Sequence, residues 1–198
     1  MLTLCIDTAY KYLSCALIKD DEILASISIP CFKKQSEELF SIMKQVFDEA
    51  KIERKDIDSI CVSEGPGSYT GTRIAMTVAK VMGETLPLDV YTVSTLMLYA
   101  AGQPKTMVIM NARANRAYVG VYDENQIVVE DHVEEVSLIN PMSYNVVGDG
   151  LLINRADNYP DIGEAFLHTK EAWKKVDKIA YLVPKYLKES ESYLKWSS

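Results

Sequence analysis

Apolar positions along the chain switch between a period of two and a period near four. Leu2 to Asp7 is a short apolar run ending in a polar turn. Tyr12 to Ile18 is a second run of strand character, Lys19-Asp20-Asp21-Glu22 a turn, and Ile23 to Ile29 a third strand that Pro30 stops. Two short connections in series predict an antiparallel meander. The period then lengthens. Over a predicted helix Ser36–Ala50, Leu39, Phe40, Ile42, Met43, Val46, Phe47 and Ala50 cover one broad side, while Glu37, Ser41, Lys44, Gln45 and Asp48 face away. Ile57 to Val62 is a strand, Gly71 to Glu84 a helix, Val90 to Val93 a strand, and Ser94 caps a helix reaching Ala101.

Gly102-Gln103-Pro104 marks a boundary, after which the pattern restarts. Thr106–Met110, Ala117–Tyr122 and Gln126–Val133 read as three strands, and Asn145–Val147 with Gly148-Asp149-Gly150 as a strand and loop. Ala165–Leu167 reads as a short strand and Lys170–Leu182 as a last helix. Both halves open with the same three-strand order. The expectation is an α/β chain of two units, residues 1–103 and 104–198, the second poorer in helix.

Ser63 to Gly83 is the most distinctive stretch: strand end, glycine loop, helix. Pro66 fixes its own φ, and Gly65, Gly67 and Gly71 allow conformations closed to other residues. Ser68 or Thr70 can cap the helix, and loop amides at a helix N-terminus could favour an anion. On the helix, Gly71, Ala75, Ala79 and Gly83 recur every four residues as one smooth stripe. Ile74, Val78, Val81 and Met82 form an adjoining bulky face, and Arg73, Thr77, Lys80 and Glu84 a narrow polar side. A surface helix needs an apolar stripe only about 100° wide. This helix exceeds that, so it must be covered twice: by its sheet, and by either another helix of the chain or a partner.

Composition changes the picture little. Hydrophobic content of 48% and charged content of 25% are ordinary for a globular chain. A net charge of −7 argues against a broad nucleic-acid footprint. From Lys170 onward, however, seven lysines face four acids, a basic stretch suited to RNA, to an acidic partner or simply to solvent. Cys5, Cys15 and Cys61 lie in apolar runs and, with Cys31, form no CxxC pair, which fits free thiols in a reducing compartment. The start MLTLCIDT lacks signal-peptide character, and no apolar run approaches the ~20 residues of a membrane helix. A cytoplasmic location is the expectation.

Several segments resemble one family. Leu4-Cys5-Ile6-Asp7-Thr8-Ala9 with Ser14-Cys15-Ala16-Leu17 is similar to the start of the bacterial TsaB proteins. Gln35-Ser36-Glu37 stands where that family often has His-Ser-Glu. Gly65-Pro66-Gly67-Ser68-Tyr69-Thr70-Gly71-Thr72-Arg73 resembles its GPGSFTGLR signature. Asn111-Ala112-Arg113 with Tyr118 is similar to its Asp-Ala-Arg segment, and Gly148-Asp149-Gly150 and Pro184-Lys185-Tyr186-Leu187 also have counterparts. The nine-residue glycine loop is the specific match. Gln35 for His and Asn111 for Asp are departures.

The resemblance implies the fold of actin, Hsp70 and the sugar kinases: two ribonuclease-H-like halves with mixed sheets. It implies a role in making the threonylcarbamoyladenosine beside the anticodon of tRNAs that read codons starting with A. The protein would be a non-catalytic partner of a TsaD-like catalytic subunit, joined by a TsaE-like ATPase, and would meet tRNA only through that complex. Alone, it is expected to form a homodimer. The expected partner interface is Ser36, Leu39, Phe40, Met43 and Phe47 on the first wide helix and Gly71, Ala75, Ala79 and Met82 on the second, with Gly65, Pro66, Gly67 and Gly71 as a structural loop.

Two histidines one helical turn apart would be needed for a metal site of the TsaD type, but only His132 and His168 are present. Proteins of this fold hold phosphates with a glycine-rich hairpin after the first strand, because a Cβ blocks close backbone approach. Here Thr8-Ala9-Tyr10-Lys11-Tyr12 contains no glycine. The later loop is GxGxxxG, without the Gly-Lys-Ser/Thr of a P-loop, and reads as structural punctuation. Asp7 remains a weak candidate for magnesium, and no cofactor is expected. The competing expectation is an enzyme of the same fold, an ATP-dependent phosphotransferase or a glycoprotease-type peptidase.

Overall fold

The strands that read as unbroken apolar runs are buried on both faces. In a computed structural model that describes residues 1–31 and 34–187, β1 (Leu2–Asp7), β2 (Tyr12–Lys19), β3 (Glu22–Pro30), β4 (Ser59–Ser63), β5 (Asp89–Val93) and β10 (Lys174–Lys175) form one sheet in the order β10-β5-β4-β1-β2-β3. Helices α1 (Gln35–Ala50) and α2 (Tyr69–Thr85) cover one face; α3 (Thr95–Ala100) and α4 (Ile162–His168) lie on the other. Leu2, Leu4 and Ile6 therefore enter one core while Cys5 between them enters the other. A strand sandwiched in this way cannot show polar alternation.

The second sheet has the order β8-β7-β6-β9, built from β6 (Thr106–Arg113), β7 (Arg116–Asp123), β8 (Gln126–Glu135) and β9 (Asn145–Gly148). Its pairing repeats that of β3-β2-β1-β4: two antiparallel neighbours on one side of the first strand, a parallel one on the other. The architecture is thus α/β with two mixed sheets. Val108 and Met110 face α3 and α4, whereas Met107 and Ile109 face a third cluster. That cluster is covered by Val136, Ile139, Leu152 and Ile153 from two short 3-10 turns and their flanks, where the first sheet has two long helices. All six residues of α3 are buried because it lies between the sheets, the position that an all-round apolar helix requires.

Two expected elements are corrected. Ala165–Leu167 is not a strand but the core of α4, whose Asp161 caps Glu164 N at 3.1 Å. Lys170–Leu182 is not a helix. It is a 3-10 turn at Lys170–Ala172, then β10, then a 3-10 turn at Ile179–Tyr181. Tertiary contacts override the local pattern there. Lys174 and Lys175 pair with Thr92 and Tyr91 of β5, and Trp173 packs its ring on Tyr91 and Phe166. The part of the basic stretch after Leu187 lies outside the described residues.

The two wide helices are corrected in orientation. On α1, Leu39 and Val46 are fully buried and Met43 and Phe47 nearly so, all against the first sheet, while Phe40 is 64% exposed and Ser36 faces solvent. On α2 the small-residue stripe faces inward: Ala75 and Ala79 are 0% exposed and Gly71 is buried. A Cβ on Gly83 would overlap Val90 of β5. The adjoining bulky face lies toward the outside, with Val81 55% exposed and Ile74, Val78 and Met82 half-buried against the margin of the core that Ala75 and Ala79 enter. The small side chains let α2 lie close to the strands.

Candidate functional site

In an open α/β sheet the carboxyl ends of the strands are where ligands bind. Here those ends carry Asp7 as the last residue of β1, the glycine loop after β4 and Asp149 after β9. Each is engaged by the chain itself.

Asp7 is 0% exposed. Its Oδ1 accepts from Ser63 Oγ at 2.5 Å and Ala9 N at 3.0 Å, and its Oδ2 from Tyr99 OH at 3.2 Å. Burial raises its pKa, and these three donors only partly offset that. The carboxyl is therefore a sealed structural group and is not presented to a cation, which corrects the expectation that it was a magnesium candidate. Among the described residues no group of three or more His, Cys, Asp or Glu is placed to hold a metal.

The glycine loop is held by hydrogen bonds to neighbouring parts of the chain. Ser68 N donates to Ala9 O at 2.7 Å, Gly65 N to Thr95 Oγ1 at 3.0 Å, and Gly71 N to Ser68 Oγ at 3.2 Å. The last of these caps α2, a contact worth about 1 kcal/mol. A Cβ on Gly67 or Gly71 would run into the carbonyl of Ala9 or Thr8, and one on Gly65, whose φ is +100°, would come within 2.7 Å of Lys185 O. The loop's shape is set by two backbones that press on it: the hairpin after β1, and the C-terminal segment, whose Lys185 N donates to Glu64 O at 2.7 Å. Pro66 sits between those approaches.

The hairpin after β1 closes the space between the two sheets. Asp149, 4% exposed, accepts from Lys11 Nζ at 2.6 Å, from Asn111 N at 2.7 Å, and from the hydroxyls of Tyr10 and Tyr159. Tyr10 OH also accepts from Asn111 N at 2.9 Å. Lys11 reaches Tyr159 OH at 2.7 Å and lies 5.0 Å from the centre of that ring. Tyr99 meets Tyr10 and Tyr159 edge-on. Burial pushes the Asp149 carboxyl up, but the donors, Lys11 foremost, more than offset this and leave it below its usual value. The Tyr10 and Tyr159 phenols are pushed up by burial and by the carboxylate, so both stay protonated and donate.

Sequence reading did not single out Lys11, Asp149 or Tyr159 as a cluster. Tyr10 and Asp149 stand 139 positions apart, and no local spacing joins them. The one available signal was a negative one, a hairpin with a lysine and two tyrosines where glycines were required. The four cysteines are free and buried, and burial raises the Cys5, Cys15 and Cys61 thiols, so those three are poor nucleophiles. Of the expected interface residues, Ser36, Phe40 and Met82 reach the surface of the isolated chain; Leu39, Met43, Phe47, Gly71, Ala75 and Ala79 are inside it. The strap after β10 adds Tyr181, Val183 and Tyr186, the last stacked on Tyr69 beside Arg73. Among the described residues no helix is long and apolar enough to cross a membrane.

A family model described as TsaD, tRNA N6-adenosine threonylcarbamoyltransferase, matches residues 30–158. The chain is similar to the tRNA threonylcarbamoyladenosine biosynthesis protein TsaB of Bacillus subtilis (strain 168), 27% identical over 99% of this chain and 98% of that protein. It is 26% identical to the protein of the same name from Buchnera aphidicola subsp. Schizaphis graminum, over 88% of this chain and 80% of that one. A solved Pseudomonas aeruginosa structure, an uncharacterized protein with similarity to the peptidase YeaZ, superposes with a TM-score of 0.83 at 21% identity, covering 94% of this chain and 99% of that one. This last likeness shows a common fold.

Proposed function

The chain belongs to the TsaB proteins within the TsaD family, and from that premise we propose that it serves tRNA threonylcarbamoyladenosine biosynthesis as a non-catalytic assembly subunit. It binds a TsaD-like catalytic subunit, and a TsaE-like ATPase joins the pair. It meets tRNA only through that complex, and in the absence of the partner it pairs with its own copy.

The observation that carries the reading is the filled cleft. The hairpin that would have to cradle phosphates holds Tyr10 and Lys11 against Asp149, and the buried Asp7 is saturated by Ser63, Ala9 and Tyr99. This arrangement leaves neither a phosphate nest nor a metal-binding carboxylate. It speaks against the phosphotransferase alternative, and the two isolated histidines, His132 and His168, speak against a glycoprotease-type peptidase built on a paired-histidine metal site. For docking, the outer surfaces of α1 and α2 offer Phe40, Val81 and Met82, with Ser36 at the edge. The interface proposed here is therefore centred on those side chains, and the buried residues of both helices support it from below.

The test is reconstitution. Purified protein alone should neither hydrolyse ATP nor modify tRNA, and adding TsaD-like and TsaE-like subunits should give modified tRNA at a rate that requires all three. A turnover that follows the isolated protein through purification would overturn the reading. So would full activity of the other two subunits without it.

A further inference from the structure

Two side-chain carboxylates tie the two sheets together at separate places. The first is Asp149, after β9 of the second sheet, held by Tyr10 and Lys11 from the hairpin after β1 of the first. The second is Asp131 on β8, whose side chain is 4% exposed. It accepts from Ser94 Oγ at 2.5 Å, at the N-cap of α3 just after β5, from Tyr122 OH on β7, and from Lys185 Nζ at 3.2 Å. Lys185 is itself fixed by its backbone to Glu64 beside the glycine loop. Each buried carboxylate thus gathers donors from both sheets.

The geometry has a mechanical meaning. In a two-sheet fold with a central cleft, motion between the halves is the default unless the contact is extensive. One polar contact would leave rotation about itself. Two leave only rotation about the line joining them, and α3 and α4, packed between the sheets with Phe166, Leu96 and Leu98 fully buried, obstruct that. Removing a donor from a buried carboxylate leaves charge with fewer partners in a place that water does not reach, so each contact is hard to open alone. The space in which a hinge would work is filled by Tyr10, Lys11, Tyr99 and Tyr159.

We propose that Asp149 and Asp131 are paired latches that hold the two sheets as one rigid body, with the hairpin after β1 acting as a built-in plug of the cleft. The protein then has no open–closed cycle of its own, and release of the Asp149 latch is what would create one. This holds whether or not a partner docks on α1 and α2.

The experiment uses the full chain carrying one spin label at Thr77→Cys on the outer side of α2 and one at Leu138→Cys, which is 65% exposed on the far side of the second sheet. The four native cysteines are buried and stay unlabelled. Pulsed distance measurements should give one narrow distribution. In Lys11→Met and in Tyr159→Phe, which remove single donors and keep the carboxylate, and more so when these are combined with Lys185→Met, a second, longer population should appear. In parallel, amide exchange over 109–114 and 148–158 should accelerate about tenfold or more while residues 59–85 exchange as in the unaltered chain. An unchanged narrow distribution with unchanged exchange would overturn the proposal. Acceleration spread evenly over the whole chain would also overturn it, because the carboxylates would then serve general stability and not the relation between sheets.

Discussion

Ala79→Leu is the sharpest test of how α2 is oriented. Ala79 is 0% exposed and lies in the core shared by α2, α1 and the first sheet. Leucine adds three carbons. If space were present, burying them would contribute roughly 0.8 kcal/mol each. The structure leaves none: one turn on, Gly83 is already so close to β5 that a Cβ would overlap Val90, and Ala75 one turn back is equally sealed. Strain therefore wins, and overpacking of this kind costs about 1–3 kcal/mol. For a chain of this size each kcal/mol lowers the melting midpoint by about 2–4 °C, so a fall of about 2–12 °C is expected. The assay is urea and thermal unfolding at a concentration low enough to suppress self-association, with Val81→Asp as the control. Val81 is 55% exposed, and its replacement should alter stability by no more than about 0.5 kcal/mol. If Ala79→Leu melts with the unaltered protein and Val81→Asp does not, the inward orientation of the small-residue stripe is refuted.

Phe40→Asp combined with Val81→Asp should convert a dimer at sedimentation equilibrium into a monomer of unchanged circular dichroism; an unaltered protein that stays monomeric at high concentration would contradict this. Gly71→Ala should lose stability although alanine is favoured in a helix by up to about 1 kcal/mol, because its Cβ meets the Thr8 carbonyl, a backbone group pinned by Thr8 Oγ1 donating to Gly71 O at 2.6 Å. Gly83→Ala meets only the ends of Val90 and Ile179 and should be better tolerated; equal melting points for the two variants would count against that distinction. Asp7 has a folded-state pKa above its unfolded value of about 3.9, so its contribution to stability is lost as pH rises from there through the folded pKa. Asp7→Asn removes that slope, and its unfolding free energy relative to the unaltered chain should improve over this interval; parallel pH profiles would exclude the buried-carboxyl assignment.

The strands and long helices were legible because burial in each imposes a period that survives in one sequence. Leu39, Met43 and Phe47 mark a covered helix side whatever covers it. The same reasoning could not say which side of α2 meets the sheet. A row of Gly71, Ala75, Ala79 and Gly83 announces close approach of another backbone, and both a strand and a partner helix satisfy it. The stretch from Lys170 failed for a different reason: its helical spacing is weak, and Trp173 against Tyr91 and Phe166, with β10 on β5, decides its conformation from a distance. The cleft was half legible. The missing glycines after Asp7 told that phosphate would not fit, but what fills the space, Lys11 and two tyrosines on Asp149, depends on residues brought together only by the finished fold.

The return of the chain to its first sheet has a consequence for biosynthesis. Strand β5 is complete as a sequence by Val93, yet its outer neighbour, β10, is Lys174–Lys175, and Val176 N closes onto Val90 O at 2.8 Å. Lys170 likewise reaches back to Asp20 and Asp21 at the β2–β3 turn. Chains emerge from the ribosome amino end first and fold unit by unit. During translation the first five strands must therefore wait, with one edge unpaired, while some eighty further residues are made. An open edge is a template for pairing with other chains. A nascent or prematurely terminated product ending before Lys170 would display that edge, together with a glycine loop lacking its Lys185 cover, so the first sheet keeps an open edge until the segment from Lys174 to Lys185 has been made.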